Sequence, residues 1–158
     1  MEAPVVVESR FESVTGYLGW DHDRLDEGLR SVSSAVGKGR FAEAAAGYEE
    51  FERGLLRHLR VEEELIFPVF EARSGMANGP TDVMRDEHHQ VRTALALMRR
   101  GLQHVDATAY LDGLRFFESV LADHNAKEEH ILYPTLDSLL RPAERAALVS
   151  RLQRESAR

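Results

Sequence analysis

Two four-residue intervals carry the chemistry of this chain. His58 and Glu62 are four apart, and so are His124 and Glu128. On a helix that spacing puts both side chains on one face, one turn apart. An imidazole one turn from a carboxylate is a ligand pair for a hard or borderline cation. Two more histidines, His22 and His88, precede these pairs. His22 is followed by Leu25 and Leu29 at plus three and plus seven, and His88 by Val91 and Leu95 at the same steps. Those intervals place both histidines on inward-facing stripes. Six polar side chains are thereby expected to converge inside an apolar interior. Ionised carboxylates and imidazoles buried without partners are costly, and cations remove the cost. Two carboxylates and four imidazoles suit a pair of iron ions, with manganese or zinc able to occupy the same ligands.

The set is written twice. Sliding the chain by 66 residues lays His58-x-x-x-Glu62 on His124-x-x-x-Glu128, and Asp21-His22 on Glu87-His88. The same offset superposes Phe51 on Phe117, Glu52 on Glu118, Leu55 on Leu121 and Pro68 on Pro134. This is an internal repeat of two helical hairpins.

The elements that must position these residues follow from periodicity and punctuation. Residues 1–12 read as a tail. A first helix is expected over 14–36, ended by Gly37-Lys38-Gly39, where glycine allows a left-handed cap. A second is expected over 41–73, with Pro68 inside it bending the helix or costing a hydrogen bond. A loop follows, and Pro80 suits the first turn of a third helix reaching about residue 103. Asp106 is a candidate N-cap for a fourth helix ending near 140, where Pro134 repeats the bend. A short fifth helix is expected over 142–153. The pattern predicts one all-α domain over 1–158, an antiparallel up-down-up-down four-helix bundle over about 14–140 with that short helix added. His22 lies roughly 12 Å from its helix start and Glu62 roughly 17 Å from its helix end, so all the ligands fall near one level.

Composition bounds the function classes. Hydrophobic residues are 43% and charged residues 30% of the 158, ordinary for a globular protein. The absence of cysteine excludes disulfides, thiolate sites and cysteine nucleophiles. A net charge of -7 argues against nucleic acid as a partner. No apolar run approaches the length of a membrane span, and the start of the chain lacks a basic segment of the signal-peptide kind, so a cytoplasmic location is the expectation.

The pattern His22, His58-x-x-x-Glu62, His88, His124-x-x-x-Glu128 resembles the hemerythrin-like (HHE cation-binding) family over about residues 14–140. The resemblance implies a four-helix bundle around a non-haem di-iron centre with a bridging oxo or hydroxo group. It also implies that Glu62 and Glu128 bridge the irons, with His22 and His58 on one, and His88 and His124 on the other. Oxygen-carrying members have another histidine four residues after the third-helix one, where this chain has Arg92. They also carry H-x-x-x-x-D on the last helix, where this chain has His124-x-x-x-Glu128. The chain looks closer to bacterial relatives that handle nitric oxide or peroxide, sense iron or repair iron–sulfur proteins. If both irons are six-coordinate, as is usual in the family, about two of the twelve positions remain for a small ligand.

The remaining polar residues sort by helical phase. Glu63 and Glu129, five residues after their histidines, leave that face and are expected to support the site from behind or to face solvent. His89 is turned about 100° from His88, and His130 and His104 read as surface and turn residues. Asp26 and its repeat-mate Arg92 are candidates for an ion-pair or supporting role near the site, with Asp26 and His89 the first suspects for an extra ligand. Phe51, Leu55, Phe117 and Leu121 are expected to line the centre, with Tyr48 in the core and Trp20 packing at the surface. Three functions compete: a centre reacting with oxygen, peroxide or nitric oxide; a module sensing or storing iron or a gas, or donating iron; and a scaffold with a structural metal.

Overall fold

The structure is a computed structural model describing residues 11–156. The expected tail falls almost wholly outside the described residues. The elements are α1 (Val14–Gly37), α2 (Phe41–Val61), α3 (Phe67–Ser74), α4 (Pro80–Gln103), α5 (Ala107–Lys127), α6 (Tyr133–Leu139) and α7 (Pro142–Ser156). There is no strand among the described residues. Two π turns, Glu62–Ile66 and Glu128–Leu132, join α2 to α3 and α5 to α6.

The π turns are where the two prolines make themselves felt. A proline ring clashes with the carbonyl four residues back and offers no N–H. Just before each proline the register widens. The Phe67 N–H bonds the Glu62 carbonyl and the Tyr133 N–H bonds the Glu128 carbonyl, five residues back. The expected bend or lost hydrogen bond is therefore taken up as a single wide turn, and each turn begins on the glutamate of a His–Glu pair.

The helix ends follow the punctuation. Gly39 takes φ +70° in the turn after α1, and Asp106 caps α5 by accepting from the Ala109 N–H at 3.0 Å. The start of α1 is capped twice. Ser13 accepts from the Gly16 N–H at 2.9 Å. Asp137, buried on α6, accepts from the Val14 and Thr15 N–H groups at 2.9 and 3.0 Å and from the Thr15 hydroxyl at 2.6 Å. A carboxylate on those amides fixes α1 against α6.

α1 packs along α2, and α4 along α5. The second pair is the tighter, because a Cβ at Gly101 would lie 2.5 Å from the Tyr110 backbone nitrogen. Two apolar clusters fill the interior. One includes Leu25, Val32, Phe51, Leu95 and Phe117. The other includes Leu18, Ile66, Phe67, Leu136 and Leu152 of α7. The six sequence-predicted polar residues lie between them. No helix among the described residues is long and apolar enough to cross a membrane.

Candidate metal centre

All six residues are buried, and their side-chain tips meet. Glu62 Oε1 stands 3.3 Å from His58 Nε2 and 3.4 Å from His88 Nε2. Glu128 Oε1 stands 3.3 Å from His22 Nε2 and 3.2 Å from His124 Nε2. Each carboxylate thus faces one histidine from each hairpin. The rings pair as His22 with His58, centroids 4.6 Å apart, and His88 with His124 at 4.9 Å. His22, His58 and Glu128 offer ligand atoms within 4.8 Å of one another, and so do Glu62, His88, His124 and Glu128. Two adjacent nests result, with Glu128 in both.

Six inner atoms of these nests have no hydrogen-bond partner. His58 Nε2, His88 Nε2, His124 Nε2, Glu62 Oε1 and both Glu128 oxygens are buried and unpartnered. Buried polar atoms are rarely left in that state. Carboxylate oxygens and imidazole nitrogens turned on one another fit cations and little else.

Behind each ring stands a carboxylate. His58 Nδ1 donates to Asp21 Oδ2 at 2.8 Å, and His22 Nδ1 to Glu129 Oε1 at 3.0 Å. His124 Nδ1 donates to Glu87 Oε1 at 3.2 Å, while Glu63 Oε1 lies 3.6 Å from His88 Nδ1. A proton fixed on Nδ1 leaves Nε2 as the inward ligand and stiffens the ring. These carboxylates are anchored in turn. Arg24 holds Asp21, Lys127 holds Glu87, and Arg92 donates to Glu63 at 2.8 Å. The placement obeys the repeat: within each hairpin Asp21 or Glu87 bonds the second histidine, and across hairpins Glu129 bonds and Glu63 faces the first histidine of the other, although His88 Nδ1 has no hydrogen-bond partner.

Tyr133 departs from that symmetry. Its phenol, fully buried, donates to Glu62 Oε2 at 2.8 Å and lies 3.5 Å from His22 Nε2. The repeat-mate is Phe67, whose ring packs on His88 with centroids 5.4 Å apart and has no hydroxyl to offer.

The electrostatics reflect crowding. Burial alone would lower the His58 pKa, but the Glu62 charge and the Asp21 hydrogen bond override it and raise it to about 10. His124 is raised to about 9, the Glu128 carboxylate overcoming burial in the same way. Burial opposes the charged form of Glu62, yet its hydrogen bonds and the His58 charge hold it well below the usual carboxylate range. Burial, reinforced by the two glutamates, pushes Tyr133 well above its ordinary value.

The Hemerythrin HHE cation binding domain family model matches residues 17–136. The chain belongs to the hemerythrin HHE family. Neither a curated protein nor a solved structure matches it significantly. The match spans every residue of the two nests. The cluster fits a metal site, as a cation-binding family requires.

Other sequence expectations resolve around this centre. His89, His104 and His130 are exposed, outside both nests. Asp26 does not join a nest but lines the small cavity beside His22, and burial raises its carboxyl above the usual range. Phe51, Leu55, Phe117 and Leu121 line the same cavity. Tyr48 is core, its hydroxyl donating to the Leu95 carbonyl at 2.6 Å, and Trp20 is 39% exposed beside Tyr17. Sequence reasoning missed the hydroxyl of Tyr133 and the support from Asp21 and Glu87. The signal for the latter was present, since the repeat aligns an acid before His22 with one before His88.

Proposed function

We propose that the two nests hold a pair of iron ions and that the centre takes up a small oxidant or diatomic molecule: oxygen, hydrogen peroxide or nitric oxide. The reading takes the long rods as an up-down-up-down bundle, supported by the short turns at 38–40 and 104–106. The observation that carries it is the set of buried, unpartnered imidazole and carboxylate atoms with room for little more beside them. His22 and His58 would hold one ion and His88 and His124 the other, with Glu62 and Glu128 shared between them. Iron bound there supplies a Lewis-acidic centre capable of one-electron steps.

The chain's own residues do the rest. The Nδ1 hydrogen bonds that His58, His124 and His22 donate to Asp21, Glu87 and Glu129 keep three rings aimed inward, and Glu63 faces the fourth. The Tyr133 phenol donates a hydrogen bond to Glu62 Oε2 and steadies that carboxylate. Phe51, Leu55, Phe117 and Leu121 exclude bulk water, leaving a cavity of about 10 Å3, roughly the room for one water. A site of that size admits diatomic molecules or peroxide and rejects organic substrates.

The test is iron-loaded protein mixed with hydrogen peroxide or, anaerobically and reduced, with nitric oxide, followed by stopped-flow absorbance and an oxygen electrode. The expected results are oxygen evolution from peroxide or a rapid spectral change with nitric oxide. Uptake of oxygen that reverses fully on degassing would overturn the reading in favour of carriage. Binding without consumption would make the protein a sensor or store, and a spectrum indifferent to every small ligand would leave the metal structural.

A further inference from the structure

The internal repeat supplies a control for how small molecules reach the centre. Two seams between the hairpins are related by the 66-residue offset: α1 against α5, and α4 against α2. Each carries an outer groove. The one on the α2/α4 seam is lined by Tyr48, Glu49, Glu52, Arg99 and Leu102, and shares no residue with the cavity at the centre. The one on the α1/α5 seam has a volume of about 390 Å3 and shares Asp26, Phe117, Leu121 and Asn125 with that cavity. Only four side chains separate this groove from the centre.

The residues responsible differ between the halves in a consistent sense. Where the open seam has Asn125 and Ala122, the closed one has Leu59, 1% exposed, and Leu56, packed on the core. Where it has Asp26, the closed one has Arg92, tied to Glu63. Where it has Ser33, hydrogen-bonded to the Tyr110 hydroxyl at 2.7 Å, the closed one has the Arg99–Glu52 ion pair drawn across the gap. Beside the cavity these exchanges remove bulk or an ion pair on the open side, while Arg30 at the outer rim stands where the closed seam has Ala96. Asn125 Oδ1 is buried there without a hydrogen-bond partner, a polar atom left over beside the passage.

The passage also has a charge. Asp26 stands in the partition and Glu118 at the exposed rim. Arg30, also at the rim, is turned to Glu27 at 2.8 Å. Negative charge at a narrow opening with low-dielectric walls repels anions more than it would in open water.

We infer that small neutral molecules reach the centre through the α1/α5 seam, between Asp26 and Asn125, and that the Asp26 carboxylate discriminates against anions. This rests on the proposed ligand-binding centre for its purpose, but the passage can be tested without metal. In metal-free protein, dissolved oxygen relaxes the nuclear magnetic resonances of methyl groups it visits. The Leu121 and Leu25 methyls are expected to be relaxed strongly. Ala122→Leu with Asn125→Leu, which copies the closed seam, should cut that effect at Leu25 by about half or more, since close-packed side chains leave no path. Relaxation at Leu25 unchanged by the double substitution overturns the passage.

Iron-loaded protein supplies the second arm, with azide as an anionic probe and nitric oxide as a neutral one. The double substitution should slow both associations about tenfold, as filling a close-packed passage does. The isosteric Asp26→Asn should speed azide about threefold or more while leaving nitric oxide within about a factor of two, as removal of one repelling charge predicts. Leu56→Ala on the closed seam, a control for general loosening, should change neither rate. Equal effects of Asp26→Asn on the two probes overturn the selectivity. If wild-type protein gives no response to either ligand, the ligand-binding centre is wrong, and the oxygen-relaxation result still decides the passage.

Discussion

The two hairpins present the same five polar positions to the centre and do not present them in the same way. Asp21, His22, His58, Glu62 and Glu63 are matched in kind by Glu87, His88, His124, Glu128 and Glu129. The backing of the second histidine is shorter in the first hairpin, 2.8 Å from His58 to Asp21 against 3.2 Å from His124 to Glu87. Arg24 takes the Asp21 oxygen that His58 leaves free, whereas Lys127 contacts both Glu87 oxygens at 2.8 Å, including the one that bonds His124. Glu62 has the Tyr133 phenol on its outer oxygen, whereas both oxygens of Glu128 are unpartnered. Repetition sets the ligand chemistry, and the departures from it make the two nests unequal.

The largest expected effect tests the repetition. Glu62→Ala and Glu128→Ala should each lower metal affinity by more than about 100-fold, beyond the 10–100-fold typical of losing a supporting group. Metal content after dialysis against a chelator reads this. Retention of iron by one variant would mean that its glutamate serves no cation.

pH separates the halves next. His58 and His124 are raised to about 10 and about 9 from an ordinary 6.5. In metal-free protein the stability they contribute is present below about pH 6.5 and lost as pH rises through 9 and then 10. A cation must displace those protons, so apparent metal affinity should climb across that window by up to about 100-fold per pH unit for two protons. Melting curves at pH 6, 8 and 10, with and without ferrous iron under anaerobic conditions, should diverge as pH rises. A constant gap would show that no proton leaves on binding.

Removing the backing carboxylates probes the inequality directly. Asp21→Ala should weaken metal binding by about 10–100-fold, and Glu87→Ala by less, because its bond to the ring is longer and divided with Lys127. Glu63→Ala should cost less than Glu129→Ala, following their 3.6 and 3.0 Å approaches to the rings. Titration with ferrous iron ranks all four.

A packing change follows in size. Gly101→Ala forces a methyl against the Tyr110 backbone and should destabilise the second hairpin by about 1–3 kcal/mol. Its repeat-mate is already an alanine, Ala35, so thermal unfolding of Gly101→Ala measures how much closer α4 and α5 lie than α1 and α2.

The smallest effect belongs to the phenol. Tyr133→Phe makes the halves alike at this position and should cost about 1 kcal/mol through the lost bond to Glu62. If the two cations bind in distinguishable steps, the substitution should draw those steps together. Steps left as far apart as in the wild type would show that the inequality has another source.

The six ligand candidates, the repeat and the helix ends were legible because each depends on spacing along one helix or on one turn residue. What the sequence concealed lies between helices. Glu63 was expected to leave the His58 face, and it does. The same rotation delivers it to His88 on α4, which no single-helix periodicity can display. Asp21 reaches His58 across its hairpin for the same reason. Pro68 and Pro134 announced a disturbance, but its form as a π turn starting at Glu62 and Glu128 depends on how the surrounding core holds the rod. The Tyr133 hydroxyl left no trace in the pattern, because Phe67 occupies the matching place and a hydroxyl has no effect on periodicity.

Glu63 reaches across to His88 and Glu129 to His22, and Glu62 and Glu128 each face a histidine from either hairpin. Neither half therefore owns a complete nest. In effect the molecule is two subunits on a tether, with residues 75–79 as the string and α7, leaning back on α1 and α2, as a clasp. Cutting that string should leave a two-piece protein whose assembly depends on metal concentration. A chelator would then act on it as a dissociating agent.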